Sequence, residues 1–296
     1  MHGAMRPIDP LREAARHWVH AALAKLAQES ARSADTHLLK LNVPGLPGID
    51  FHFKDEASHP TGSLTPRLAH SLFLYALGNG WLRDGQTVVD ASCGSTAISE
   101  ACFAQLPGLS FIAVMPTATA PGKIDDVQAL GGECDRDDDP AQVPARATEH
   151  AARGACHLDQ FGLAERATDW RGNNNIAESI IGQLARETAP VPAWIVCGAG
   201  PGTGGTSATI RYLRHRRLDA RLCVADSAGS AFAHGWYSRD RYALASPPTD
   251  RGERYPQTLF DPAWLIDRGV DLAPWDAALH APLEDGRWHT RAGSGA

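Results

Sequence analysis

The sequence predicts an α/β protein built on parallel strands, and three observations carry that prediction. Near-continuous apolar runs recur at 87–91, 111–115, 193–197 and 221–226. Segments with apolar residues at helical spacing separate them. Glycine- and serine-rich loops follow two of the runs, at 92–96 and 198–206. Strands that are apolar along their whole length are buried on both faces, which calls for helices covering both sides of a parallel sheet. Ligands of such sheets lie at the carboxyl ends of the strands, so both loops stand where a cleft is expected. With 296 residues the chain can bury a large core, as one α/β unit or as two lobes sharing a cleft.

The first helix is expected over 11–28, where apolar positions keep helical spacing and Pro10 suits the first turn. A short extended run, His52 to Lys54, precedes a helix around Arg67 to Leu77, which Gly78-Asn79-Gly80 stops. Alternation then sets in, with a strand at 87–91, a helix at 96–105 and a strand at 111–115. Helices follow at 123–130, 141–152 and 173–188, then a strand at 193–197, a helix at 207–216 and a strand at 221–226. After about residue 235 the pattern decays, and Trp264, Trp275 and Trp288 stand among Arg, Asp and Gly without clear periodicity.

Composition narrows the function classes. Hydrophobic residues make up 43% and charged residues 21%, as in ordinary globular proteins. A net charge of −6 argues against a non-specific grip on nucleic acid or on an anionic membrane. The opening residues lack the apolar core of a signal peptide, and no apolar run reaches the length of a bilayer span. A cytoplasmic protein is expected. The six cysteines form no C-x-x-C pair and are expected as reduced, mostly buried thiols. The thirteen histidines show no metal-ligand spacing, so no metal site is expected.

Two loops have the composition of anion sites. In Ala91-Ser92-Cys93-Gly94-Ser95-Thr96-Ala97, small residues let backbone N–H groups and hydroxyls converge on an anion at a helix N-terminus. The same residues also serve as ordinary helix caps. In Gly198-Ala199-Gly200-Pro201-Gly202-Thr203-Gly204-Gly205-Thr206, consecutive glycines can nest N–H groups around a phosphate. Proline has no N–H to offer, so the turn at Gly200-Pro201 must swing away from that phosphate. This loop also satisfies G-x-G-x-x-G through Gly200, Gly202 and Gly205, with Asp226 about twenty residues on, the spacing of a dinucleotide-binding unit.

A third segment connects these loops to a family. Lys54-Asp55-Glu56 followed by His59-Pro60-Thr61-Gly62-Ser63-Leu64-Thr65-Pro66-Arg67 resembles the active-site segment of fold-type II pyridoxal-phosphate (PLP) enzymes, the cysteine synthase and cysteine desulfhydrase family. There the segment reads roughly K-x-E-x-x-x-P-T-G-S-x-K-x-R, and its second lysine carries the cofactor as a Schiff base. In this chain that position is Thr65, whose hydroxyl cannot form an imine.

The resemblance covers about residues 36 to 234. It implies a two-lobed α/β fold like that of the tryptophan synthase β subunit, with the cofactor in a cleft between lobes of about 1–157 and 158–296. It further implies that Gly202, Thr203, Gly204, Gly205 and Thr206 bind the PLP phosphate. Ser92, Cys93, Gly94 and Thr96, with Gln160, would bind the substrate α-carboxylate. Ser95 stands where an asparagine usually reaches the ring oxygen, and Ser294 is the one candidate for the ring nitrogen. The form Ser92-Cys93-Gly94-Ser95-Thr96-Ala97 resembles the branch that includes L-cysteine desulfhydrases. The implied substrate is a small L-amino acid with a β leaving group, such as cysteine or a serine derivative. The implied assembly is a homodimer. Of the four lysines, 25, 40, 54 and 123, Lys54 is nearest in sequence to the motif but has a different reach. Two readings stay open beside an impaired enzyme: a non-catalytic family member that binds PLP, an amino acid or a partner protein, and a dinucleotide-binding protein.

Overall fold

Four strands of a parallel sheet and the helices between them form the first of two compact units in the computed structural model, which describes residues 10–33, 35–42, 48–167, 175–198 and 204–225. The first unit comprises Met1–Leu39 and Asp55–Asp159, and the second Lys40–Lys54 and Gln160–Ala296. The chain opens with α1 (Pro10–Ser33), then β1 (His37–Leu41) and β2 (Phe51–Asp55), which pair as a two-stranded sheet. Next come α2 (Thr65–Gly78), β3 (Val88–Ala91), α3 (Ser95–Gln105), β4 (Phe111–Pro116), α4 (Pro121–Ala129), β5 (Glu133–Asp137), α5 (Val143–Ala152) and β6 (Cys156–His157).

The four-stranded sheet has the order β5-β4-β3-β6, and every pairing is parallel. Val88 stands opposite Phe111 on one side of β3 and opposite Cys156 on the other. Helices α3 and α5 both pack on β3 and β4, and α4 packs on β5. Val88, Val89, Ala113 and Val114 are wholly buried, so the two central strands are the core.

The second unit contains α6 (Gln160–Ala167), α7 (Ile176–Leu184), β7 (Trp194–Gly198), α8 (Gly204–Arg216) and β8 (Arg221–Ala225). Strands β7 and β8 are parallel, with α8 between them in sequence and α6 and α7 packed against α8. Ile195, Leu213 and Leu222 form the core of this unit. The Arg221 guanidinium lies 5.3 Å from the centre of the Trp194 ring.

Several expectations need correction. The helix foreseen from 173 runs only from Ile176 to Leu184, and the one foreseen from 141 begins as a 3-10 turn, Pro140–Gln142, before α5. Strands β1, β5 and β6 and helix α6 were not foreseen. β5 reads Glu-Cys-Asp-Arg-Asp, a polar sequence that an edge strand tolerates, and among the described residues it pairs only with β4. All six cysteines are reduced thiols, but only Cys156 and Cys223 are buried; the other four are half-buried. Among the described residues no helix is long and apolar enough to cross a membrane.

The turn from α4 into β5 shows how tightly the first unit is packed. Gly131 closes the helix at φ +76°, donating to the Gln128 carbonyl at 2.9 Å, while Gly132 donates to the Val127 carbonyl at 3.0 Å. A Cβ on Gly132 would meet Val127 Cγ1 at 2.7 Å and Phe111 Cδ1 at 3.3 Å. Gly132→Ala should therefore cost about 1–3 kcal/mol in denaturant unfolding through overpacking. An unchanged midpoint would show that the turn can yield.

Candidate functional site

The segment that carries Thr65 is folded by its own polar groups. Asp55 accepts a hydrogen bond from the Ala57 amide at 3.2 Å and caps the 3-10 turn Glu56–Ser58. Gly62 donates to the His59 carbonyl at 2.8 Å and has φ +71°, a conformation that glycine adopts without a Cβ clash. Thr65 then opens α2, with Pro66 in the first turn, where its missing N–H costs nothing.

Thr65 is 8% exposed, and its hydroxyl belongs to a chain of four. Thr65 Oγ1 lies 2.7 Å from Ser63 Oγ and 2.8 Å from Ser99 Oγ, and Ser99 Oγ lies 2.8 Å from Thr61 Oγ1. The Thr65 amide also donates to Ser63 Oγ at 3.3 Å. Each hydroxyl can donate one proton and accept others, so the chain satisfies itself. No imidazole or carboxylate accepts the Thr65 proton among the described residues, and so nothing there activates it as a nucleophile.

Two residues further on, Arg67 fixes the start of α2. Its Nε donates to Glu56 Oε2 at 2.7 Å and its Nη2 to Glu56 Oε1 at 2.8 Å, a two-pronged pair. Nη2 also reaches Thr36 Oγ1 at 3.0 Å and Asp35 Oδ1 at 3.1 Å, and Thr36 Oγ1 donates to Glu56 Oε1 at 2.6 Å. Burial pushes the Glu56 carboxyl up, but His59, with Nε2 3.4 Å away, and the Arg67 guanidinium outweigh it and bring it from 4.5 down to about 2.

The loop Ser92–Thr96 joins β3 to α3. Ser92 is anchored at both ends: its amide donates to the Val114 carbonyl at 2.9 Å, and its Oγ accepts from the Ala97 amide at 3.2 Å. Ser92 and Thr96 are buried, whereas Cys93, Gly94 and Ser95 are half-buried at the helix N-terminus. Gly94 is the N-cap and provides no side-chain cap. Ser95 and Ser99 are one turn apart on α3, so this helix brings the loop and the Thr65 hydroxyl chain into one neighbourhood of the first unit.

In the second unit Gln160 opens α6 and is 1% exposed. Gly204, Gly205 and Thr206 form the first turn of α8, the element that follows β7 in sequence. Gly200, Pro201, Gly202, Thr203, Asp226 and Ser294 lie outside the described residues. Asn175 caps α7, its Oδ1 accepting from the Ala177 amide at 2.9 Å and the Glu178 amide at 3.2 Å. Lys54 on β2 donates to Gln183 Oε1 at 2.8 Å.

The sequence reading missed Ser99 and the tie from Arg67 to Glu56, Thr36 and Asp35. The signal for the first was polar residues within the otherwise apolar helix Thr96-Ala97-Ile98-Ser99-Glu100-Ala101. The signal for the second was the acid of the motif, eleven residues before its arginine.

The sequence profile of the family described as "Pyridoxal-phosphate dependent enzyme" matches residues 31–259. An L-cysteine desulfhydrase of Mycobacterium tuberculosis is 49% identical over 289 residues, covering 94% of this chain and 78% of that protein. A cysteine synthase of Neurospora crassa is 31% identical over 216 residues, 69% of this chain and 54% of its own length. Among solved structures, O-ureido-L-serine synthase aligns with a TM-score of 0.63 at 23% identity, over 79% of this chain and 70% of that one. A hydrogen sulfide-producing enzyme from Fusobacterium nucleatum aligns with a TM-score of 0.61 at 22% identity, over 73% of this chain and 68% of that one. At such identities these two likenesses establish the fold.

Proposed function

Because the chain belongs to the family of pyridoxal-phosphate dependent enzymes, we propose that it is a cysteine desulfhydrase- or cysteine synthase-like member that binds its cofactor without a covalent link. Its substrate is a small L-amino acid with a β leaving group, cysteine or a serine derivative, handled by β-elimination or β-replacement. Turnover is impaired. The observation that carries this reading is the Thr65 hydroxyl chain, which fills the lysine position with groups that can form no imine and find no base.

The residues present fit the cofactor in part. A helix of thirteen residues beginning at Gly204, after a parallel strand, suits a phosphate through its first-turn amides and its dipole. Thr65 does not suit a covalent anchor. Gly202, Thr203, Gly204, Gly205 and Thr206 would hold the phosphate, and Ser95 and Ser294 would contact the ring. Bound PLP supplies an electron sink for the charge left on Cα when its proton departs. Ser92, Cys93, Gly94 and Thr96, with Gln160, would orient the substrate by its carboxylate. At Thr65 the chain has no group to receive the Cα proton, a loss worth about 10²–10⁴ in rate. The protein is further proposed to be a cytoplasmic homodimer.

The test is a titration of the purified protein with PLP, followed by dialysis. The cofactor should bind reversibly and be lost, and Gly205→Val should weaken binding much more than it lowers the thermal midpoint. Should NAD binding disappear in that variant with PLP affinity unchanged, the dinucleotide reading takes over. A non-catalytic binder is the second reading, favoured by the same hydroxyl chain. Sulfide release from L-cysteine above the rate of free PLP would exclude it.

A further inference from the structure

Beneath the Ser92–Thr96 loop lies a pair of acids that the proposed chemistry does not use. Asp90 is on β3, two residues before the loop, and Glu100 is on α3, four residues after it; both are wholly buried. Neither Glu100 oxygen has a hydrogen-bond donor among the described residues, and the polar group it faces is the Asp90 carboxyl. Asp90 Oδ1 accepts from the Ala91 amide at 2.8 Å, and His157 Nε2 on β6 stands 3.3 Å away. Two ionised carboxylates cannot face each other in a dry interior without a donor between them. One proton shared by the pair supplies that donor.

We infer that Asp90 and Glu100 share a single proton and that this bridge clamps the strand and the helix flanking the anion loop, so that loss of the proton loosens the loop. Its use for a substrate carboxylate rests on the function proposed above; the shared proton does not.

Among the described residues no hydrogen-bond donor reaches Glu100, and the buried cation of α2, Arg67, is held by Glu56 and Asp35. Strand β4 carries no titratable side chain. Strand β6 brings His157 and Cys156, and α2 brings His70, whose ring lies 5.6 Å from Phe103 on α3. On α5, Arg146 and His150 pair with Asp135 on β5, while Lys123 on α4 is half-buried and Asp125 and Asp126 are exposed. Burial, then the charge and hydrogen bonding of Asp90, push the Glu100 carboxyl well above 4.5. Burial lowers His157, but hydrogen bonding to Asp90 and the charges of Asp90 and Asp159 raise it above 6.5. For a group raised on folding, the stability it contributes is complete below its unfolded value and is lost as pH rises through the folded one. Both groups therefore weaken the fold as pH rises, Glu100 from 4.5 upward and His157 from 6.5 upward.

The experiment is thermal and denaturant unfolding of the full chain and of Glu100→Gln from about pH 6 to about pH 9. The amide of the variant donates to Asp90 without titrating. Relative to the variant, the wild-type folding constant should fall by up to tenfold per pH unit until Glu100 has ionised. Parallel curves would overturn the inference. A second measurement needs no variant: the infrared carbonyl band of a buried carboxylic acid should be present in wild-type protein at neutral pH, and its absence overturns the shared proton. Hydrogen exchange at the Ala97 amide, which donates to Ser92, reads the clamp. Its protection, corrected for intrinsic rate, should decline with pH in the wild type and persist in the variant; equal protection in both removes the clamp. If amino acids fail to bind while these results hold, the proposed function fails and the bridge stands.

Discussion

Thr65→Lys is expected to turn reversible cofactor binding into a covalent link and to raise sulfide release from L-cysteine by about 10²–10⁴-fold. Position 65 opens α2, held by the Arg67 pair, so the backbone that would present an amine is already fixed. A lysine there would lose the Thr65 hydroxyl but keep Ser63, Ser99 and Thr61 as nearby oxygens able to accept from it. Burial disfavours the ammonium form, which favours both attack on a carbonyl carbon and later service as a base. A visible band with turnover would identify Thr65 as the whole lesion. A band without turnover would move the fault to the loop, where Ser95 stands in place of the asparagine that the resemblance implies. No band from a folded variant that still binds PLP would contradict the placement of residue 65 at the lysine position.

Arg67→Ala should lower stability by about 3–5 kcal/mol, because it takes the two-pronged guanidinium from the buried Glu56 carboxylate and leaves it only His59 and Thr36. Arg67 and Glu56 are 8% and 11% exposed at the side chain, so water cannot replace the pair. The effect has a pH signature. Glu56 is lowered on folding from 4.5 to about 2, so its contribution is present above 4.5 and lost as pH falls through about 2. That difference is worth about 3 kcal/mol at neutral pH. The gap between wild type and Arg67→Ala in denaturant unfolding should therefore narrow as the medium is acidified below 4.5. A gap of constant size would mean that Arg67 stabilises through packing of its stem rather than through Glu56.

The parts of this molecule that sequence makes visible are those where one physical pattern acts alone. Val88–Ala91, apart from Asp90, and Phe111–Pro116 are apolar and lie between neighbouring strands, and that shows in the residue string. Glu133–Asp137 and His37–Leu41 are strands by backbone pairing while their side chains meet water, so no apolar run marks them. The motif around Thr65 was legible because its glycine turn and helix start are local. Its partners were not. Ser99 stands 34 residues away and reaches Thr65 only through the packing of α3 on α2. The pairing of Asp90 with Glu100 likewise depends on how one helix folds back on one strand. The sequence also led to the expectation of mostly buried cysteines, since apolar neighbours, as at Cys102 between Ala101 and Phe103, conceal a half-buried position.

If PLP binds with no lysine to hold it, reduction can fix the cofactor to no side chain of the described lysines. The most direct measurement is borohydride reduction of the native protein saturated with PLP, followed by peptide mapping. Lys54, the nearest lysine in sequence, is on β2 with its amine on Gln183 Oε1, and Lys40 lies 3.2 Å from Asp50 and 3.6 Å from Glu187. The cofactor should leave on denaturation, with no pyridoxyl group on Lys40, Lys54 or Lys123. A stoichiometric pyridoxyl adduct on any of these three would contradict it.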